Sequence, residues 1–260
     1  MCESMSYLLP VLLVSMLLAG GGAYAQPLLI AADDMEPMKV LSRFLQDTAG
    51  YRVRLVEPGD MPASLSSFYA VFQYIHGQMD ATIEHALIDY TRAGGRCVLL
   101  HHGIASARWK NPDFLKFTGI HLAPRDDPDL PWRVLGNTTH TIVNLQPEHY
   151  ITTHGITYDK TVTYVSSDTP SAPREFPAFD LPDTEVFLNQ QFTDGRAKTV
   201  LLGFRCTDSE TGRTIMQDRS MWYKRSGQGW IFYLQPGHAV SDYKNRNICQ
   251  LIWNCLTWEP

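Results

Sequence analysis

The 260-residue chain contains no CxxC pair, no HExxH and no GxSxG frame. The first absence removes the commonest thiolate zinc pattern, the second the helix-borne zinc site of metalloproteases, and the third the serine nucleophile elbow. Ser106 stands outside any such frame, and Cys97 opens an apolar run instead of closing one. A basic cluster is also missing. With 22 Lys and Arg against 27 Asp and Glu, the net charge is -5, which argues against nucleic acid as the main partner. Long apolar runs are scarce too: LLPVLLVSMLL, residues 8–18, is too short to span a bilayer as a helix. No later segment is long and apolar enough to cross, so no membrane association is expected of the mature chain.

That short apolar stretch is followed by Ala23-Tyr24-Ala25, a small-residue pattern of the kind signal peptidase cleaves. MCESMS supplies no Lys or Arg ahead of it, yet the apolar run and cleavage pattern together predict a signal peptide over residues 1–25. The mature chain is then secreted or periplasmic, and residues 26–260 suit a single domain. Hydrophobic content of 44% is enough for a real core. Export would permit disulfides among Cys97, Cys206, Cys249 and Cys255. Cys249 and Cys255 point to different faces of one predicted helix, and Cys97 reads as an inert core thiol.

What the sequence does contain is alternation. LLIAAD (28–33) is a short apolar run. Residues 37–49 place Val40, Leu41, Phe44, Leu45 and Thr48 on one helical face, and Gly50 stops that helix. YRVRLVE (51–57) and YAVFQYI (69–75) read as strands; a helix over 80–93 carries Ile83, Leu87 and Tyr90 and ends at Gly94-Gly95. RCVLLH (96–101) follows directly. Such an order predicts an α/β fold, with a mostly parallel sheet flanked by helices. HLAPRDDPDLPW (121–132) excludes regular structure. Short β-like runs between residues 132 and 226 predict an added antiparallel portion of the same domain. WIFYLQ (230–235) restores a buried strand, and a helix over 243–258 closes the chain.

In an open parallel sheet, ligands bind outside the carboxyl ends of the strands. Asp33 and Asp34 follow the first apolar run, His76 and Gly77 the third, His101, His102 and Gly103 the fourth, and Pro236, Gly237 and His238 the last. Taken singly, a histidine at a strand end is a loop residue bonding a carbonyl, and an aspartate before Pro37 is a helix cap. Their coincidence at one edge points to a crevice. Clustered imidazoles shuttle protons or bind a cation such as zinc. If a divalent metal is used, His76, His101 and His238 are its candidate ligands. His85 and His140 read as exposed and are set aside; His121 and His154 are ambiguous. Tyr74, Trp109, Trp132, Trp222 and Tyr243 flank these edges and suit stacking against sugar rings.

At these residues the sequence resembles the trehalose-utilisation (ThuA-like) family. The resemblance covers approximately residues 28–258 and is carried by ALIDYTRAGGRCVLLHHGIAS, QPEHYITTHGI and, above all, GQGWIFYLQPGHAVSDY with the closing NCLTW. Members similar to this chain have a G-x-G-h-h-F-Y strand leading to PGH, a P-x-H-P-I segment, and a histidine closing the strand after the double glycine. Those patterns fall on His238, His149 and His101, with His76 a looser match. His149 departs from the pattern in being followed by Tyr150 where the family has proline, and Tyr158-Asp159 is a poor counterpart of an acidic element some members carry.

The resemblance implies a class I glutamine-amidotransferase-like, flavodoxin-like fold. It also implies a role with trehalose, sucrose or related glycosides through keto-sugar intermediates. Glutaminase relatives have a nucleophilic cysteine where this chain has His101-His102-Gly103, so no glutaminase activity is expected. The resulting expectation is a carbohydrate-active protein with His101 and His238 catalytic. Asp33, His76, His102, His149, Trp109 and Tyr243 would bind substrate. Two alternatives stand beside it: a non-catalytic sugar-binding protein of the same fold, and a zinc-dependent hydrolase.

Overall fold

The computed structural model describes residues 27–104, 111–169, 171–195 and 197–260. The expected signal peptide, Ser106 and Trp109 lie outside the described residues. Strand β1 (Pro27–Ala32), helix α1 (Met35–Asp47), β2 (Arg52–Val56), β3 (Ala70–Tyr74), α2 (Ala81–Arg92) and β4 (Arg96–Leu100) come first. Next are α3 (Pro112–Thr118), β5 (Ile120–His121), β6 (Arg133–Asn144), α4 (Tyr150–Thr153), β7 (Lys160–Tyr164) and β8 (Arg174–Leu188). Then follow β9 (Gln191–Phe192), β10 (Lys198–Thr207), β11 (Thr214–Ser226), β12 (Gly229–Leu234), α5 (Val240–Lys244) and α6 (Arg246–Thr257).

Ten strands form one sheet in the order β2-β1-β3-β4-β12-β11-β10-β6-β8-β7. From β2 to β12 all pairings are parallel, and from β12 to β7 all are antiparallel. The apolar runs β3 and β4 are buried along their whole length, as parallel strands covered on both faces must be. Alternate residues serve the two faces. Leu28, Ile30, Phe72, Val98 and Phe232 pack under Leu41 and Leu45 of α1 and Leu251 and Ile252 of α6. Leu29, Val71, Leu99 and Ile231 pack under Leu87 of α2 and Phe114 of α3. Local chemistry sets the helix starts: the Asp34 side chain accepts the Glu36 N–H, and Asp80 accepts that of Thr82.

The chain departs from the sequence reading in several places. His121, the first residue of the stretch expected to be irregular, belongs to β5. The closing helix is two helices, because Asn245 adopts an extended conformation and caps α6 through the Asn247 N–H. β8 is one long strand starting at Arg174, in a region where the sequence shows only short β-like runs. Pro177 and Pro182 obscure that start, yet Pro177 pairs with Thr161 of β7 within the sheet. His140 is buried, not exposed: its Nε2 lies 2.9 Å from the Ser220 hydroxyl, and its ring packs against Phe204.

The antiparallel half also bends back over the parallel half. β6 and β8 lose register between Leu135 and His140, and β10 pairs with β6 only from Thr141 to Asn144. Beyond the irregularity, Arg133–Leu135 and Val186–Leu188 therefore form a two-stranded ribbon, a geometry that bulges favour. Gln235, just past β12, catches this ribbon. Its side chain accepts the Phe187 N–H at 2.9 Å and donates to the Phe187 carbonyl at 3.2 Å.

Candidate functional site

The carboxyl edge of the parallel strands carries the residues expected there. β1 and β3 lie side by side, but the chain leaves β1 toward β2 and leaves β3 toward β4. Crevices form where crossovers diverge in this way. Asp33, past β1, accepts the backbone N–H groups of His76 and Gly77, each at 2.7 Å through Oδ2, and meets His76 Nδ1 at 2.8 Å through Oδ1. Burial pushes the Asp33 carboxyl up, but these hydrogen bonds outweigh it and hold the group below the usual aspartate range. An ionised Asp33 keeps a proton on His76 Nδ1 and so orients the ring. The aspartate thus positions a histidine, while Asp34 is the helix cap.

His101 and His102 form a short 3-10 turn after β4. His101 has a positive φ of 45°, a sparsely populated region for a residue with a Cβ. The surroundings hold it there: its Nδ1 sits 2.5 Å from the Gln235 carbonyl, and the Tyr233 hydroxyl donates to the His101 carbonyl at 3.1 Å. Phe187 stacks on its ring at a centroid distance of 4.4 Å. His238 is positioned similarly, its carbonyl accepting the Tyr74 hydroxyl at 2.8 Å.

His102 is the hub. Its ring centroid is 3.8 Å from that of His76, 4.2 Å from His101 and 5.6 Å from His238. Side-chain exposure falls across the cluster from 40% at His238 and 32% at His76 to 16% at His102 and 0% at His101. His238 and His76 are thus its accessible members, and His101 is sealed. Two large clefts elsewhere on the described surface, near Tyr69–Tyr90 and near Arg133–Gln217, contain none of these residues.

One member of the site was not foreseen. Glu185, on the β8 ribbon, places Oε2 at 3.1 Å from His101 Nε2, 3.3 Å from His102 Nε2 and 3.6 Å from His238 Nδ1. Burial holds His101 and His102 below the ordinary imidazole range, His102 down to about 3, against the opposing pull of Glu185. Burial pushes Glu185 up, but its contacts with the same histidines outweigh that and hold it well below the usual carboxylate range. The state consistent with both directions is an ionised carboxylate facing neutral rings.

Several expected site residues do not join this group. His149 caps α4 through the Ile151 N–H and lies against Tyr223 and Trp258. Trp258 in turn touches Trp230 at the start of β12, the end opposite His238. Tyr243 is buried edge-on against Tyr74 beneath Gly237, so it supports the loop and presents no face to a ligand. Trp132 and Trp222 are likewise core residues, as is Tyr74. His76, expected as a possible metal ligand, bonds Asp33, whereas the converging donors are His101, His102, His238 and Glu185, all within 4.8 Å of one another. Glu185 had no signal in the sequence. It is one polar position in an alternating strand far along the chain, and only the ribbon's bend brings it to the histidines.

The ThuA family model, described as trehalose utilisation, matches residues 36–259. The crystal structure of a ThuA-like protein from Parabacteroides merdae ATCC 43184 superposes with a TM-score of 0.65 at 14% identity, covering 90% of this chain and 89% of that one. A ThuA-like protein from Bacteroides uniformis ATCC 8492 gives 0.57 at 16% identity, over 90% of this chain and 91% of that one. A β-galactosidase from Bacillus circulans sp. alkalophilus gives 0.51 at 10% identity, over 88% of this chain but 30% of that one. At such identities the likeness concerns the fold. No curated protein matches the chain.

Proposed function

Because the chain belongs to the ThuA family of trehalose utilisation, within the class I glutamine-amidotransferase-like superfamily, we propose that it acts on a carbohydrate at the carboxyl edge of its sheet. The substrate is a trehalose- or sucrose-type glycoside or a keto-sugar derived from one. The observation that carries this reading is the graded cluster, with His238, His76 and His102 reachable from outside and the Glu185 carboxylate, itself 19% exposed, among them. Sugar hydroxyls are weak acids and good hydrogen-bond partners. A cluster of imidazoles around a fixed carboxylate both orients them and moves a proton, a contribution of roughly 10²–10⁴ in rate.

Roles follow burial. His238 and His102 face the substrate, and His76, held by Asp33, presents Nε2. His101 is sealed and acts on Glu185. The family's glutaminase relatives act through a cysteine, and the histidines in its place leave no nucleophile for that reaction. In the same reading, residues 1–25 are removed on export and residues 26–260 work as one secreted or periplasmic domain; the mass of the mature protein tests that step.

The test is a thermal-shift screen of trehalose, sucrose and their 3-keto derivatives, followed by product detection by mass spectrometry. A ligand that binds only the folded chain raises its midpoint. His238→Ala is the clean variant, because its side chain is 40% exposed; it should lose binding or turnover at least tenfold with little change in midpoint. His101→Ala, by contrast, removes a sealed ring and should destabilise the fold. Binding without product supports sugar recognition alone, and no response to any of these sugars overturns the reading.

A further inference from the structure

We propose that His101, His102, His238 and Glu185 form a binding site for one divalent transition-metal cation, zinc by donor type. The inference stands on donor geometry alone and holds whatever the substrate is.

Distances come first. Four ligands at about 2.0–2.1 Å from a tetrahedral zinc ion stand about 3.3 Å from one another. The three approaches to Glu185 Oε2 are 3.1, 3.3 and 3.6 Å. They bracket that edge length, and all four donor atoms lie within 4.8 Å.

Proton positions come second. His101 Nδ1 faces the Gln235 carbonyl at 2.5 Å, so that nitrogen carries the ring's proton. With a proton on Nδ1, His101 directs Nε2 at a carboxylate oxygen 3.1 Å away. A cation ligated by both atoms would complete the pair. An imidazole whose second nitrogen donates to a backbone carbonyl is also the usual outer-shell arrangement of a metal-bound histidine.

Crowding is the third argument. Glu185 Oε2 is approached by three imidazole nitrogens, more than its two in-plane lone pairs serve as a hydrogen-bond acceptor. One of the three, His238 Nδ1, is buried and has no hydrogen-bond partner. His76 is excluded from the set, because the donor atoms that lie within 4.8 Å of one another belong to His101, His102, Glu185 and His238. Three imidazoles and one carboxylate suit zinc and its neighbours nickel, copper and iron better than magnesium or calcium. A cation held by these four residues would polarise a sugar carbonyl or hydroxyl or activate a bound water.

The experiment uses the full chain, stripped with a chelator and titrated with ZnCl₂ by calorimetry, with Co²⁺ as a spectroscopic probe. One zinc per chain should bind, and bound Co²⁺ should show visible ligand-field bands. Glu185→Gln and His238→Ala should each weaken zinc binding at least tenfold and alter the Co²⁺ bands, while His76→Ala should match the parent. Circular dichroism confirms that each variant folds; should Glu185→Gln fail to fold, the His238→Ala and His76→Ala pair still decides the matter. No stoichiometric zinc binding, or equal affinity in parent and His238→Ala, overturns the site. A loss in His76→Ala equal to that in His238→Ala overturns the ligand set. A sugar-screen failure leaves these readouts untouched, so the two readings fail separately.

Discussion

Asp242 accepts the backbone N–H of His238 at 2.8 Å through Oδ2, the same oxygen that takes the Thr184 hydroxyl at 2.7 Å. One buried carboxylate therefore ties the loop after β12 to the residue preceding Glu185. It also accepts the Ala239 N–H at 3.2 Å. Asp242→Ala should leave these buried donors unsatisfied and cost about 3 kcal/mol of stability. Urea denaturation measures it. Asp242→Asn keeps an acceptor oxygen and should cost less. Equal unfolding midpoints for Asp242→Ala and the parent would show that the clamp carries no weight.

The four rim positions were legible in the sequence for a definite reason. β1, β3, β4 and β12 are near-continuous apolar runs, so their ends are sharp, and parallel topology puts those ends on one edge. His76, His101, His102 and His238 could be gathered on that basis alone. Glu185 and Asp242 could not. The first depends on a register shift in β8, and the second lies in a helix whose separation from α6 hinges on the conformation of Asn245. The aromatic positions misled because a large ring beside a strand end serves the core equally well. Tyr74 and Tyr243 pack against each other below the site.

Gly237 has φ of +117°, and a Cβ there would lie 2.5 Å from the buried Tyr243 hydroxyl. Gly50 has φ of +74° with nothing within 4 Å of such a Cβ. Both substitutions to alanine incur backbone strain of about 1–2 kcal/mol, but only Gly237→Ala also forces the tyrosine or the histidine loop to move. Thermal midpoints should fall further for Gly237→Ala, and that variant alone should impair binding at His238. Equal drops would mean that Tyr243 yields freely.

Cys97, Cys206, Cys249 and Cys255 are all buried and unpaired. Burial pushes the Cys97, Cys206 and Cys249 thiols up to about 12 and Cys255 higher still. The thiolate is the reactive form, so none of the four should be alkylated in the native protein at pH 8. All four should react in denaturant. Peptide-level mass spectrometry after iodoacetamide treatment reads this site by site, and rapid native labelling at Cys97 would contradict the buried strand β4.

His140 sets an acid limit on the fold. Burial lowers its pKa from an ordinary 6.5 to about 3, so the folded state stays neutral at a pH where the unfolded chain takes up a proton. Below pH 6.5 the unfolded state binds more protons, and stability falls with falling pH until the folded-state value near 3 is reached. Between pH 7 and pH 5 this single group should remove about 2 kcal/mol. His140→Leu abolishes that contribution, although it orphans the Ser220 hydroxyl, which now meets Nε2 at 2.9 Å, and so should be less stable at pH 7. Urea titrations of both proteins at the two pH values separate the effects: the gap between parent and variant should narrow by about 2 kcal/mol at pH 5. A gap of constant size would mean that the ring protonates without unfolding and that its surroundings admit the charge.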